Sequence, residues 1–269
     1  MLGSSRESLA ALRTSLDARS GEPGFAAVAG DLLAVASVLG REKSLRQTLA
    51  DSGQPVETRQ GIVRQLFGGQ IGETSVAVLG DVVAARWSDD ADLVEAVERL
   101  GAQAAFVGAD RDGSLDRVED ELFRFGRAVD SSPELQMALT DPSLPADRKA
   151  ALVQRLVGSQ ASPVTAQLLA HTAANLRGSQ PAVAVQHLAD LAAEQRRRVL
   201  AEVRSAVALT DEQSSRLAAA LSTLQGRQVR LNVIVDPEVV GGIVVSVGDE
   251  VIDGSIASRL EQARRAVSA

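Results

Sequence analysis

The chain contains no cysteine, and this absence removes several kinds of site at once. Disulfide bonds, thiolate nucleophiles and zinc sites with cysteine ligands are all excluded. Histidine is nearly as scarce, because His171 and His187 are the only two in 269 residues. They fall on separate predicted helices without a His-x-x-x-His pair, so we predict no metal site and interpret both as surface or helix-capping residues.

Aromatic residues are also rare: the chain has five Phe, one Trp and no Tyr. The core must therefore be aliphatic, and little surface exists on which bases, sugars or flavins could stack. The formal net charge of −7 and the pI near 5.0 disfavour long-range attraction to nucleic acid or to an anionic membrane. We predict no nucleic-acid partner, no cofactor and no small-molecule substrate.

Long apolar runs are missing as well. No stretch approaches about eighteen uncharged apolar residues, which is the length that a membrane-spanning helix needs. The opening, MLGSSRESLAALR, lacks the apolar run of a signal peptide. If the protein works at a membrane, we expect other proteins to hold it there.

Familiar catalytic motifs are absent too. The sequence has neither the G-x-x-x-x-G-K-[ST] phosphate loop nor the G-x-S-x-G nucleophile elbow. We interpret the acidic pairs Asp89-Asp90 and Glu119-Asp120 as solvated helix faces. The run Arg196-Arg197-Arg198 closes a predicted helix, where cations favour the helix dipole, and partner binding is its alternative role. We therefore predict no catalytic residue and no enzyme activity.

Residues 1–198 show helical periodicity with clear helix ends. Pro145, Pro163 and Pro181 each open a predicted helix, and Gly158 and Gly178 close the first two. This pattern indicates a helical bundle. One apolar stripe with spacings of 3, 4, 3 and 4 residues illustrates the periodicity: Leu115, Val118, Leu122, Phe125 and Val129.

The same features recur 90 residues apart, which predicts two tandem copies of one helical domain. A period of 90 is too long for a solenoid repeat, so we interpret the copies as duplicated domains covering residues 1–93 and 94–198. The matching pairs are Leu32/Leu122, Leu45/Leu135, Leu49/Leu139, Asp51/Asp141, Pro55/Pro145, Arg59/Lys149, Val63/Val153, Leu66/Leu156, Gly68/Gly158 and Leu79/Leu169.

After residue 198 the apolar period changes from helical to two, which indicates strands. Thr210 and Gln213 form a predicted capping box ahead of one helix, between strands predicted at 199–209 and 229–235. Residues 199–269 are thus predicted to form a separate small α/β domain. The fold class is α+β multidomain: mostly helical, with tandem helical-bundle domains followed by this α/β domain.

The α/β domain contains a glycine-rich stretch, DPEVVGGIVVSVGDEVIDGS, from Asp236 to Ser255. Gly241-Gly242 precedes a β-branched run, whereas phosphate loops open a helix, so these glycines favour tight turns over nucleotide binding. Gly248-Asp249 has the pattern of a two-residue hairpin turn. Ser255 is the predicted N-cap of a final helix.

The order of these turns resembles the C-terminal signature of the delta subunit of F-type ATP synthases, whose mitochondrial equivalent is the oligomycin-sensitivity-conferring protein. An Arg-Leu pair follows in that family, matched here by Arg259-Leu260. The resemblance covers about Val94 to Ala269, and residues 1–93 are additional. The residues that carry it are Asp236, Pro237, Gly241, Gly242, Gly248, Asp249, Asp253, Gly254 and Ser255.

The resemblance implies a non-catalytic subunit of the peripheral stalk, or stator. Its helical domain would grip N-terminal helices of the alpha subunits, and its C-terminal domain would hold the b-type stalk subunits. The protein would lie on the cytoplasmic side of the cell membrane, attached only through the complex. An unrelated helical adaptor is the alternative, which explains the bundles but not the ordered motif.

In that family the first and fifth helices of the helical domain form the groove for the partner helix. Carried onto the second copy, this implies a groove whose residues could equally be ordinary bundle core: Leu100, Ala104, Val107, Val183, Leu188 and Leu191. The additional first copy could provide a second contact and so raise the avidity of the stator.

Overall fold

The computed structural model describes residues 1, 3–225, 229–236, 239, 241–247 and 250–254. The chain divides into two compact units, Met1–Ala192 and Ala193–Ala269, with the division inside one helix. We call them the helical unit and the sheet unit. None of the described helices combines the length and apolar composition needed to cross a membrane.

Short polar or proline-containing segments separate the helices of the helical unit. They are α1 (Ser4–Ala18), α2 (Phe25–Arg41), α3 (Lys43–Ala50), α4 (Val56–Phe67), α5 (Glu73–Ala84), α6 (Asp90–Arg111), α7 (Leu115–Asp130), α8 (Pro133–Thr140), α9 (Ala146–Val157), α10 (Pro163–Ala174) and α11 (Pro181–Val199), the last running past the division.

Helices α10 and α11 begin at prolines that the sequence predicts as helix starts. Pro163 is the first residue of α10, and the preceding Ser162 accepts a hydrogen bond from the backbone N–H of Thr165 at 3.2 Å. Pro181 likewise begins α11. One end differs from the prediction, because α10 stops at Ala174, four residues before the predicted closing glycine.

Four helices of the first half reappear in the second half displaced by 90 residues, at both ends in three pairs and with a last residue displaced by 89 in the α2–α7 pair. The pairs are α2 with α7, α3 with α8, α4 with α9, and α5 with α10. The loop before α4 and its counterpart before α9 each contain an equivalent hydrogen bond. In the first, the N–H of Gly53 donates to Asp51 Oδ1 at 2.9 Å, and in the second, the N–H of Ser143 donates to Asp141 Oδ1 at 2.8 Å. These equivalences support the predicted duplication.

The two copies share one continuous apolar core, which extends from Leu9 to Ala192. Helix α6 explains this arrangement, because residues on all its faces are buried. It is the last helix of the first copy, and α1 displaced by 90 residues falls inside it, so it is also the first helix of the second copy. The predicted boundary between residues 93 and 94 therefore lies within this shared helix.

The sheet unit contains β1 (Leu200–Ser205), α12 (Asp211–Gln225), β2 (Arg230–Val235), β3 (Ile243–Val247) and β4 (Glu250–Asp253). The strand order is β2-β1-β3-β4, with β1 and β2 parallel and the other neighbours antiparallel. A small core of Val203, Leu221, Val229 and Val245 fills the unit.

The predicted capping box at the start of α12 is confirmed. The N–H of Gln213 donates to Thr210 Oγ1 at 3.2 Å, and the N–H of Thr210 donates to Gln213 Oε1 at 2.9 Å. The first strand is shorter than the predicted 199–209, since β1 ends at Ser205, whose carbonyl accepts the N–H of Asp236 at 2.8 Å.

Candidate functional site

An open cleft of about 580 Å³ lies within the helical unit, between α6, α10, α11 and the loop joining the last two. We call it the second cleft because it belongs to the second copy. Its apolar lining is aliphatic: Leu33, Ala102, Leu168, Leu176, Ala184, Leu188 and Leu191. Its charged and ionisable lining residues are Glu95, Glu98, Arg99, His171, Arg177 and His187.

Helix α6 forms one wall and is fixed from its first turn. Asp89 is its N-cap and accepts the N–H of Ala91 at 2.8 Å. Farther along, Gly101 lets α2 approach closely, because a Cβ at this position would lie 3.1 Å from the Leu33 side chain. This close approach brings Leu33, from the first copy, to the lining of the second cleft.

A buried carboxylate fastens α10, the helix that supplies Leu168 to the cleft. Glu121 of α7 accepts hydrogen bonds from Thr165 Oγ1 at 2.6 Å, the N–H of Ser162 at 2.8 Å and Arg117 Nε at 2.7 Å. Burial by itself raises the pKa of Glu121, but these hydrogen bonds outweigh it and lower the pKa from 4.5 to about 2. The carboxylate therefore stays ionised at neutral pH.

Charges at the rim of the cleft pair within the chain. Glu98 accepts from His171 Nε2 at 3.1 Å and also from the guanidinium of Arg177. Arg177 has a φ of +45°, in the left-handed region, so it occupies a conformation that glycine adopts more readily. Glu95 and Arg99 form a second pair, one helical turn apart, at 2.8 Å. A partner therefore meets an apolar surface whose flanking charges are already neutralised.

The structure distributes the six predicted groove residues among three environments. Leu188 and Leu191 line the second cleft. Leu100, Ala104 and Val107 are buried in the core instead. Val183 lies outside the cleft lining, with 46% of its surface exposed.

Sequence reasoning named Ala102 among the small residues of the predicted groove but missed Glu95 and Glu98, through which α6 also faces the cleft. Glu95, Glu98 and Ala102 follow one another at spacings of three and four residues, but the apolar residues all round α6 hide this stripe. Leu33 carried no signal either, because its neighbours in the cleft are about sixty or more residues away in the sequence.

Another depression, of about 460 Å³, lies between the end of α3 and the start of α6. Its lining is mainly polar and includes Gln47, Asp51, Gln54 and Asp89. It offers no continuous apolar surface to a partner helix, so the second cleft is the stronger candidate for a binding site.

In the sheet unit, the described residues of the glycine-rich motif shape the ends of strands. Asp236 pairs with Arg204 at 3.3 Å. Gly241 and Gly242 have φ values of +69° and +78°, in the left-handed region that favours glycine, as turn chemistry predicts. The N–H of Gly254 donates to the carbonyl of Ile243 at 3.0 Å.

Part of the motif falls outside the described residues, namely Pro237, Gly248, Asp249, Ser255 and the predicted final helix. The strand register still bears on the predicted hairpin. Val247 of β3 pairs with Glu250 of β4, so two residues connect the strands, as predicted.

The family model described as ATP synthase delta (OSCP) subunit matches residues 97–267 of this chain. A Streptomyces avermitilis protein named ATP synthase subunit delta is 47% identical over 265 residues, covering 98% of this chain and 97% of that protein. Proteins of the same name from Parafrankia sp. and Frankia alni are 43% and 45% identical, with coverage of both chains at 100% and 99% respectively. The first copy, outside the family match, is thus shared with these relatives.

Proposed function

Because this chain belongs to the ATP synthase delta (OSCP) subunit family, we propose that it is a non-catalytic stator subunit of an F-type ATP synthase. It links the catalytic head to the peripheral stalk and keeps the head from turning with the rotor. Rotation driven by protons in the membrane sector is then coupled to ATP synthesis. The subunit itself makes and breaks no covalent bond.

The second cleft is the observation that carries this proposal for the head. An amphipathic helix from the N-terminus of an alpha subunit lays its apolar face against the partly exposed Leu176, Leu188 and Leu191. These residues fall within the part of the chain that the family model matches. The paired charges at the rim remain at the edge of the interface, where they stay hydrated.

The sheet unit holds the b-type stalk subunits in this proposal, because the whole of the family's ordered motif falls within its residues. The protein lies on the cytoplasmic side of the cell membrane and is attached through the complex. Two separate contacts, one on each unit, connect the head and the stalk. Once one partner is bound, the other partner is held near its own site at a high effective concentration.

Purification of the tagged protein from detergent-solubilised membranes tests the proposal, with Leu188→Asp as the cleft variant. A carboxylate at this apolar position must either stay charged among aliphatic side chains or exclude the partner helix. We expect the wild type to retain alpha and b-type subunits and Leu188→Asp to lose the alpha subunits while keeping the b-type subunits. Proton-driven ATP synthesis in inverted membrane vesicles should fall in parallel.

Val183→Asp is the matched control, because it places the same charge on the same helix, outside the cleft lining. It should retain both partners and full coupling. Recovery of neither alpha nor b-type subunits with the wild type would refute the stator function. Equal losses in the two variants would show that the charge disturbs α11 rather than the cleft.

A further inference from the structure

The duplicated helices permit a comparison inside the molecule, since each position of the second cleft except Leu33 has a counterpart 90 residues earlier. That counterpart region lies between α1, α5 and α6. Seven of these counterparts are buried: Ser5, Leu9, Leu12, Val78, Val82, Val94 and Val97. The cleft residues equivalent to five of them are partly or fully exposed, whereas Ala102 and Leu168, equivalent to Leu12 and Val78, are buried as well. The first copy is therefore closed at this place by its own side chains.

Specific replacements account for the difference. Arg99, whose side chain is 39% exposed, corresponds to Leu9, which is 6% exposed. Ala102, which is 2% exposed, corresponds to Leu12, which is 8% exposed, so these two differ in side-chain volume and not in exposure. In each pair the first copy has the side chain that fills space with apolar atoms, whereas the second copy has a charged or a small one. A similar change relates exposed His187 to buried Val97.

Hydrogen bonds also close the first copy. Gln103 of α6 accepts from Arg13 Nε at 2.8 Å and donates to Asp17 Oδ1 at 2.6 Å, which ties α6 to α1. At the other end of α1, the N–H of Ser88 donates to Ser5 Oγ at 2.8 Å. The counterpart of Gln103 in the second copy is Ala193, whose side chain cannot form such a bond.

We propose that the first copy is a permanently closed version of the second, that it binds no head helix, and that each chain receives a single helix in its second cleft. This inference rests on the proposed function and identifies the copy and the number of helices involved. The first copy then acts as a support that holds α6 from behind and contributes Leu33 to the lining of the second cleft. It is not the second contact that the duplication suggested.

The geometry also describes the occupant. The α6 residues that line the cleft run from Ala91 to Ala102, a rise of roughly 16 Å at about 1.5 Å per residue, or three helical turns. A partner helix of this length presents apolar anchors at positions i, i+4 and i+7. Leu9 and Leu12 show that leucine-sized side chains fit the equivalent space in the first copy.

Two substitutions at equivalent positions test the inference. Ala102→Leu places in the second cleft the leucine that the first copy has at this position, and Leu12→Ala removes that leucine from the first copy. The probe is a synthetic peptide of about 25 residues from the N-terminus of the alpha subunit, and calorimetry gives its affinity and stoichiometry. We expect the wild type to bind one peptide per chain. Affinity should fall at least tenfold in Ala102→Leu and change less than twofold in Leu12→Ala.

Stability separates these effects from misfolding. Leu12→Ala should lower the unfolding midpoint by roughly 5–15 °C, because it leaves a cavity in a buried site. Crosslinking provides a second measurement in case Ala102→Leu folds poorly. The chain lacks cysteine, so photo-crosslinkers on Ala184→Cys and Ser8→Cys report separately on the second cleft and on the first copy.

The outcomes distinguish the two proposals. A wild-type chain that binds no alpha peptide contradicts the head contact of the proposed function. Two peptides per chain, unchanged affinity in a folded Ala102→Leu variant, or a crosslink from Ser8→Cys would overturn the closed-copy inference while leaving the stator function intact. A crosslink from Ala184→Cys alone supports both.

Discussion

Thr165 donates its hydroxyl hydrogen to the carboxylate of Glu121 across 2.6 Å, and this bond fastens α10 to α7. Ninety residues earlier, Ser75 donates in the same way to Asp31, also across 2.6 Å. The hydroxyl and the carboxylate are thus preserved in type, although both side chains differ between the copies. Each bond fixes the start of the penultimate helix of its copy, and in the second copy that helix lines the cleft.

The depressed pKa of Glu121 predicts a loss of stability in acid. Its folded pKa of about 2 lies below the ordinary 4.5, so the ionised group stabilises the folded state above about pH 4.5. This contribution, roughly 3 kcal/mol, disappears as pH falls from about 4.5 to about 2. Urea unfolding followed by the fluorescence of Trp87, the single tryptophan, should show this slope in the wild type.

Glu121→Gln is the control for that titration, because its side chain cannot ionise. It should be less stable than the wild type at pH 7, and the difference should shrink as the pH approaches 2. A constant difference across this range would show that hydrogen bonding or packing, and not ionisation, accounts for the role of Glu121.

Gly101→Ala should weaken both the core and the cleft. The new Cβ would lie 3.1 Å from Leu33 and 3.4 Å from Leu32, so α2 and α6 must separate slightly, at about 1–3 kcal/mol. Because Leu33 lines the second cleft, affinity for the alpha peptide should also fall. Urea unfolding and peptide titration measure the two effects.

Gly108→Ala provides the comparison on the same helix. No atom beyond the neighbouring backbone of α6 lies within 4 Å of a Cβ built there, and alanine favours helix by up to about 1 kcal/mol. This variant should be as stable as the wild type or more so, with unchanged peptide affinity. If both alanine variants are equally destabilised, close packing at Gly101 is not the cause.

Local signals in the sequence predicted much of the fold. Pro163 marked the start of α10, because proline fits the first position of a helix. Thr210 with Gln213 marked the start of α12, because this cap depends on residues three positions apart. The 90-residue spacing identified equivalent helices because it depends on local features too. These are the proline and glycine residues at helix ends and the helical period of apolar residues, and neither requires knowledge of distant contacts.

The open face of α6 could not be predicted in this way. Apolar residues surround the helix because it serves two copies, so its pattern does not distinguish core from cleft. The rim is equally non-local: Glu98 meets His171 and Arg177 only after α10 has packed, 73 and 79 residues later in the chain. Such pairs follow from tertiary packing and leave no local signature.

Affinity for the alpha peptide should depend little on salt. Glu98 and Glu95 are paired with Arg177 and Arg99 within the chain, so binding relies on apolar contact and releases few ions. Between 50 and 300 mM NaCl we expect the dissociation constant to change less than about threefold. Fluorescence anisotropy of a labelled peptide measures this. Glu98→Gln, which leaves Arg177 without its carboxylate, should show the stronger salt dependence.

Removing the first copy tests its role as a support. A chain beginning at Asp90 loses α1 to α5, so buried α6 residues such as Gly101 and Gln103 become accessible to water. Loss of this apolar contact, at about 25 cal/mol for each Å² exposed, should lower the unfolding midpoint in circular dichroism by more than about 10 °C. Binding of a hydrophobic dye should increase. If the shortened chain keeps its midpoint but holds the head less tightly in the intact complex than a full-length Leu33→Ala variant does, the first copy contributes a contact beyond Leu33 and is more than a support for α6.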